Sequence, residues 1–123
     1  NPNLKAGAIT AETALDAMAG ATDQKVEWVR QAAGDRFDDL ELNVLSFAAS
    51  VTDDTAGFAD FLAQLFGAPA EEVLEAPTVV AGSVAEITDR LQARRDRWGF
   101  SYYVFQADAA EAMAPVVAEL TGN

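Results

Sequence analysis

Residues 77–106 read PTVVAGSVAEITDRLQARRDRWGFSYYVFQ. Within this stretch, Ser83 and Glu86 have the spacing of a capping box, in which the two side chains bind the first free amides of a helix. We therefore predict a helix over residues 84–98, and Gly99 is the residue type that ends a helix in a left-handed conformation. Its buried stripe recurs at helical spacing and comprises Val84, Ile87, Leu91 and Trp98.

Extended segments flank this helix on both sides. A short extended run over residues 77–81 enters a turn at Gly82. Residues 100–106 are apolar on both alternating faces apart from Ser101, a pattern typical of a parallel strand that is covered on both sides. The sequence therefore predicts a helix followed directly by a buried strand.

A second strand is predicted over residues 40–51, which alternate and are rich in strand-forming residues. Thr10 and Thr22 are predicted to cap helices that reach about residues 19 and 33, and residues 52–54 are predicted to cap a helix ending at residue 66. Further helices are predicted over residues 70–75 and 108–114, with Pro115 starting a separate last helix to about residue 120. The third helix has an apolar stripe predicted as core: Phe58, Phe61, Leu62, Leu65 and Phe66.

Composition restricts the classes of function. The 123 residues include 20 acidic and 8 basic side chains, and the resulting net charge of −12 disfavours binding to nucleic acid or to an anionic membrane surface. No apolar run approaches the roughly 18 residues that a membrane-spanning helix needs. No signal peptide is visible, so a cytoplasmic protein is expected. Because the chain has neither His nor Cys, Ser–His and Cys–His nucleophiles and an ordinary zinc site are excluded, no metal is predicted, and the catalytic residues stay unidentified.

The element order predicts an α/β fold with two parallel strands joined by crossover helices. No repeat or linker divides the chain, so residues 1–123 are treated as one segment. Two parallel strands leave open edges and do not close a core, whereas a (β/α)₈ barrel of about 250 residues does. The length therefore suits the last βα units of such a barrel.

Several separated motifs resemble one family. They are residues 33–43 (AGDRFDDLELN), residues 51–54 (VTDD), Arg94-Arg95 with residues 101–104 (SYYV), and residues 114–120 (APVVAEL). Together they resemble the C-terminal part of luciferase-like flavin or deazaflavin oxidoreductases, specifically the actinobacterial-type enzymes that depend on F-420. All of these motifs belong to the scaffold, and none is a catalytic signature.

The resemblance implies a (β/α)₈ barrel in which a hydride moves to or from F-420 or FMN at the C-terminal mouth. Residues 40–51 would then be the seventh strand and residues 100–106 the eighth. The expected partners are a small-molecule substrate and either the missing N-terminal part of the barrel or a second copy of the chain. The alternative is a non-catalytic half-barrel that serves as an interaction or structural subunit and self-associates.

Four residues are candidates for cofactor binding in that arrangement. Asn1 would follow a barrel strand at the mouth, and Gln106 follows the predicted last strand. Gly82 and Ser83 stand at a helix N-terminus, where hydroxyl and amide groups can bind a phosphate. Capping alone also accounts for Ser83, and a turn or cap role is the alternative for Gln106.

Other polar residues have a structural or solvated role as the alternative to a functional one. Glu41 and Asn43 either form a buried polar network or lie at a solvated strand end. Tyr102 and Tyr103 are adjacent, so one should face the barrel interior and the other the helices. Three pairs of neighbouring carboxylates are predicted to be solvated or capping: Asp38-Asp39, Asp53-Asp54 and Glu71-Glu72.

The last residues with a predicted role are the arginines of the central helix and the two tryptophans. The only basic cluster comprises Arg90, Arg94, Arg95 and Arg97. We predict that it compensates the helix dipole and pairs with Glu86, Asp89 or Asp96, with anion binding as the alternative. Trp28 and Trp98 are predicted to pack helices against the sheet.

Overall fold

The computed structural model describes residues 10–122. Its helices within that range are α1 (Ala11–Leu15), α2 (Ala19–Ala33), α3 (Thr55–Phe66), α4 (Ala70–Glu75), α5 (Val84–Trp98) and α6 (Ala110–Leu120). Its strands are β1 (Leu42–Leu45), β2 (Ala48–Val51), β3 (Val79–Gly82) and β4 (Phe100–Val104). Short 3₁₀ helices occupy Gly34–Asp39 and Ala107–Ala109.

The strands pair in two parallel ladders, β1 with β4 and β2 with β3. Residues 40–51 are therefore not one strand, as predicted, but two. The break falls where the Ser46 amide donates to the Val104 carbonyl at 2.9 Å and the next amide, that of Phe47, donates to the Thr78 carbonyl at 2.8 Å. Successive amides of an extended chain point to opposite sides, so the segment changes partner at this point. The prediction of an α/β fold with parallel strands is confirmed.

Strand β4 ends at Val104 and is covered on one face only. Phe100 is buried, and Tyr103 packs against the apolar residues under α5 and α6. The opposite face exposes Tyr102, which is 51% accessible, and Val104. The prediction of a strand covered on both faces is wrong for the described residues, because Tyr102 and Val104 are exposed.

Strand β3 is the buried centre of the fold, since all four of its residues are buried. Val79 belongs to a cluster with Leu62 of α3 and Val73 of α4. Val80, which points to the other side, packs with residues of α5 and α6 that include Ile87 and Met113. Helices therefore cover both faces of the β2–β3 pair.

The third predicted helix, α3, buries less of its stripe than predicted. Leu62 is buried and Phe58 and Phe66 are partly buried, but Phe61 and Leu65 are 62% and 61% exposed. Trp28 of α2 is also exposed, whereas Trp98 is buried against Phe100 as predicted. The helical period identifies the apolar face correctly, but how much of that face is covered depends on neighbouring elements.

The boundary between the first two helices also differs from the prediction. Thr10 caps α1 as predicted, but α1 ends at Leu15 and α2 begins at Ala19, within the segment assigned to the first helix. Thr22 lies inside α2, where its hydroxyl donates to the Met18 carbonyl at 3.0 Å instead of capping. A threonine hydroxyl that donates to a carbonyl one turn earlier can lie inside a helix, so Thr22 does not mark a helix start.

Helix α6 continues through Pro115, where the sequence predicts a break. Met113 and Val116, on either side of the proline, are both buried in the cluster beneath α5 and α6. Burial of this shared face outweighs the backbone hydrogen bond that the proline cannot form.

Candidate functional site

The carboxyl ends of β2 and β3 lie side by side, because Val51 is in register with Gly82. Helix α3 begins directly after β2, and α5 begins directly after β3. Ligands of parallel α/β proteins bind at this edge of the sheet. Gly82 and Ser83 therefore stand where the fold class places a binding site.

The capping box predicted at the start of α5 is confirmed. The Ser83 amide and hydroxyl both donate to Oε2 of Glu86 at 2.8 Å, and the Glu86 amide donates to Oγ of Ser83 at 3.3 Å. The Thr55 hydroxyl of α3 donates to the same carboxylate oxygen at 3.3 Å. The Ser83 backbone and side-chain hydrogen bonds, in that order, are the main causes that hold the pKa of Glu86 below its usual range.

Glycine is required at position 82 for two reasons: the positive φ of the backbone and the short distance to the Glu86 side chain. Its φ of +138° is a conformation that residues with a Cβ rarely adopt, and a Cβ here would lie 3.0 Å from Oε2 of Glu86. The Glu86 carboxylate thus occupies the place at the helix N-terminus that a phosphate would take. In this arrangement Gly82 and Ser83 do not fit a bound phosphate, because a second anion would be repelled by Glu86.

Gln106 lies apart from these residues. It precedes the 3₁₀ helix Ala107–Ala109 as its N-terminal boundary residue, and its carbonyl accepts the Ala109 amide at 3.0 Å. Strand β4 ends in register with Leu45, before β2 begins, and no hydrogen bond joins Gln106 to Gly82 or Ser83. Asn1 lies outside the described residues. Gly82 and Ser83, which are neighbours in the chain, share this site, whereas Gln106 does not join them. The cofactor-binding role of all four residues stays a prediction.

Arg94 is the unexpected feature of α5, since its side chain is only 4% exposed. Its guanidinium donates to the carbonyls of Val79, Leu74 and Ala76, each at 2.8 Å. Burial lowers the pKa of Arg94 to about 10. Arg94 extends the stripe of Ile87, Leu91 and Trp98 by helical spacing, and this position was the signal in the sequence that it would be buried.

Arg90 and Arg97 also depart from the predicted pairing with carboxylates of their own helix. Arg90 donates to the Ala81 carbonyl at 2.6 Å. Arg97 binds Asp23 of α2 through Nε at 2.9 Å and Nη2 at 2.7 Å, while Nε1 of Trp98 donates to the same carboxylate at 2.7 Å. These three hydrogen bonds join α2 to α5, and hydrogen bonding from Arg97 is the first cause that lowers the pKa of Asp23.

Tyr103 places a phenol beneath α5. Its hydroxyl is buried and has no hydrogen-bond partner among residues 10–122. Burial raises the pKa of Tyr103 to about 12, and the nearby charge of Arg94 opposes that rise. Tyr103 faces the helices and Tyr102 the opposite, exposed side, as their adjacency predicts.

The remaining polar candidates are solvated. Glu41 and Asn43 are both exposed, so the structure agrees with a strand end in solvent and not with a buried network. All six carboxylates of the acidic pairs Asp38-Asp39, Asp53-Asp54 and Glu71-Glu72 are exposed. Within residues 10–122, no three acidic side chains cluster closely enough to hold a metal ion.

Comparison with protein-family models, curated proteins and solved structures finds no match to this chain. No helix in the described part of the chain combines the length and apolar character needed to cross a membrane.

Proposed function

We propose that the chain is the C-terminal segment of a luciferase-like oxidoreductase that transfers a hydride between F-420 or FMN and a small-molecule substrate in the cytoplasm. One structural observation supports this proposal: both strand ladders are parallel, and helices connect the paired strands. Parallel strands that are connected through helices occur in (β/α)₈ barrels and in other α/β folds. The motif resemblance implies redox chemistry, and that chemistry would be carried out by the bound cofactor.

In such an enzyme, this chain would contribute the part of the barrel mouth that follows the carboxyl ends of β2 and β3. Thr55 and Ser83 hold the Glu86 carboxylate there, and Gly82 gives the backbone its close approach. Because Glu86 already uses the Ser83 amide, we assign recognition of the cofactor ring to residues outside this chain. Those residues would come from an N-terminal part of the barrel or from a second copy.

A non-catalytic half-barrel subunit is the second candidate, and exposed apolar surface favours it. Phe61 and Leu65 of α3 and Tyr102 of β4 all expose more than half of their surface. The outer edges of β3 and β4 have no strand partner among the described residues. Self-association of the chain would cover these surfaces, which is what a structural subunit of this kind would do.

Cofactor titration on one purified sample distinguishes the two functions. Light scattering gives its assembly state, and quenching of F-420 or FMN fluorescence gives binding. When a second copy of the chain supplies the ring-binding residues, the oxidoreductase proposal expects saturable binding with a Kd below about 10 μM. A sample that self-associates and binds neither cofactor would support the structural subunit instead.

The variant Glu86→Gln then tests whether the cofactor lies near Ser83. Removing this negative charge should tighten binding of the anionic cofactor, since the repulsion between two anions disappears. Asp89→Asn is the matched control, because Asp89 is an exposed carboxylate on the same helix. Equal effects of the two variants would place the cofactor elsewhere.

A further inference from the structure

An apolar groove lies between α1 and α3, and we call it the α1–α3 groove. It contains a cavity of about 230 Å³ whose lining includes Met18, Phe47, Leu62 and Leu65. The Leu65 side chain is also largely exposed, and so is Phe61, which lies one turn earlier on the same face of α3. The α1–α3 groove therefore continues into exposed apolar surface.

Carboxylates lie beside this groove. Met18 lines the groove and also a neighbouring depression, whose wall contains three carboxylates of α4: Glu71, Glu72 and Glu75. All three are exposed, and Arg97 in the same wall is already bound to Asp23. Residues 37–89, which include α3 and α4, contain no Lys or Arg. The surface beside the apolar groove is therefore negative, and its own helices do not neutralise it.

We infer that the α1–α3 groove binds a basic amphipathic helix of another protein. Such helices bind in apolar grooves through apolar side chains that recur at helical spacing. An apolar cavity of about 150 Å³ in another protein holds benzene, so this one has room for one Leu or Phe side chain of the partner. Lys or Arg side chains on the flank of the same helix would then face Glu71 and Glu72, and this complementary charge sets the orientation.

Charge favours this occupant over a second copy of the chain. In a symmetric dimer the same patch meets itself, so the carboxylates of α4 would approach those of the other copy. Like charges placed together across an interface are unfavourable. The inference is also independent of the redox proposal, because Ala48 and Val79, which begin β2 and β3, line the groove, whereas Ser83 follows the end of β3.

Fluorescence anisotropy with a labelled synthetic helix tests the inference on the full chain. The probe is a peptide of about 14 residues with Leu at helical spacing and Lys at every other position, and the control probe has Glu in place of Lys. We expect the Lys peptide to bind saturably and at least about tenfold more tightly than the Glu peptide. No saturable binding of the Lys peptide, or equal binding of the two peptides, would overturn the inference.

A first pair of variants shows whether the peptide occupies the groove. Leu65→Gln should weaken binding of the Lys peptide at least about fivefold, because it removes apolar surface from the groove. Val117→Gln makes a similar change at an exposed position of α6 and should leave binding unaltered. Equal effects of the two variants would overturn the inference. A wild-type dimer that Leu65→Gln dissociates would assign the groove to a second copy, which would overturn it as well.

A second pair separates local charge from the acidity of the whole chain. Glu71→Gln combined with Glu72→Gln should weaken binding of the Lys peptide at least about fivefold. Asp38→Asn combined with Asp39→Asn removes the same charge from an exposed 3₁₀ helix and should change binding less than about twofold. Circular dichroism checks that each variant folds. Equal effects of the two double variants would mean that the peptide binds acidic surface in general, and the inference would fail.

Discussion

Arg94 illustrates how one residue ties several elements together. It is the only charged residue within residues 10–122 that is buried. Its three carbonyl acceptors lie in α4, in the turn after it and in β3. The guanidinium therefore adds hydrogen-bond donors to this irregular connection, which makes Arg94 structural and not an anion-binding residue.

Replacing Arg94 by Met should destabilise the fold strongly. The variant keeps most of the apolar stem but loses the hydrogen bonds to three carbonyls, at a cost of about 2–4 kcal/mol in the free energy of unfolding. Urea denaturation measures the change. Arg36→Met removes the same charge from an exposed position of the 3₁₀ helix Gly34–Asp39 and should alter stability by less than about 0.5 kcal/mol. Similar losses in the two variants would contradict the role assigned to Arg94.

Asp23 should make stability depend on pH. Its pKa in the folded state is held below the usual 3.8, first by the hydrogen bond from Arg97. A lowered carboxyl pKa stabilises the fold above the unfolded value, and this stabilisation is lost as pH falls through the folded value. Wild type should therefore melt at a higher temperature than Asp23→Asn at neutral pH, and the difference should close below pH 3.8.

Thermal melts over that pH range check this prediction. Asp60→Asn provides the control, because Asp60 is exposed on α3. A difference between wild type and Asp23→Asn that persists in acid would mean that the carboxylate charge is not what joins α2 to α5.

At the scale of the element, the helix ends show how local chemistry determines structure. Ser83 with Glu86 begins α5, and Gly99 in the left-handed conformation ends it. Asp54 begins α3 by accepting the Gly57 amide at 2.9 Å, and left-handed Gly67 ends it. Each of these ends was predicted, because a cap depends on residues within one turn of one another.

Ser83→Ala should reduce the free energy of unfolding by about 1 kcal/mol, the usual loss of an N-terminal cap. Ser101→Ala is the matched change at an exposed serine of β4 and should be neutral. Thermal melting of the two variants gives the comparison. A melting temperature unaltered by Ser83→Ala would remove the capping box from the account of α5.

Pro115 distinguishes a continuous α6 from two short helices. In a continuous helix, Pro115→Ala restores an amide that can donate to the Glu111 carbonyl, so stability should rise by about 1–3 kcal/mol. If Pro115 instead began a new helix, alanine would bring no gain. Pro69→Ala, at the start of α4, serves as the reference and should not stabilise. Urea denaturation of both variants measures the difference.

At the scale of the whole molecule, the fold leaves surfaces that nothing in the described chain covers. The β1–β4 ladder has an exposed face at Tyr102 and Val104, and each ladder has only two strands. Two-stranded sheets are marginal without further cover. The helices on both faces of β2–β3 are the feature that the barrel hypothesis does not explain, since one face of each barrel strand turns inward.

We therefore expect the chain to self-associate at physiological ionic strength, where its net charge of −12 is screened within about 8 Å. Tyr102→Lys should reduce the association by placing a charge on an edge strand. Trp28→Lys makes a similar apolar-to-charged change on α2, away from the strands, and should have less effect. Light scattering across a concentration series measures both, and a folded wild-type monomer at every concentration would refute the expectation.

The candidate site was only partly predictable. The spacing of Ser83 and Glu86 predicted the cap, but the Thr55 hydroxyl that joins it is 31 positions away from Glu86 along the chain. Asp23 and Arg97 are separated by 74 positions, so no local pattern reveals their hydrogen bonds. The motif resemblance added a cofactor expectation that no contact in the fold tests.

The sequence by itself determined the helix and strand segments around residues 77–106, the caps of α3 and α5, and the parallel α/β class, because these depend on spacing within a few turns. The tertiary structure alone decided that residues 40–51 divide between two partners, which carbonyls the Arg94 guanidinium binds, and that α6 runs through Pro115. Each of these outcomes depends on which distant backbone groups and apolar surfaces meet, and that is a property of packing and not of local pattern.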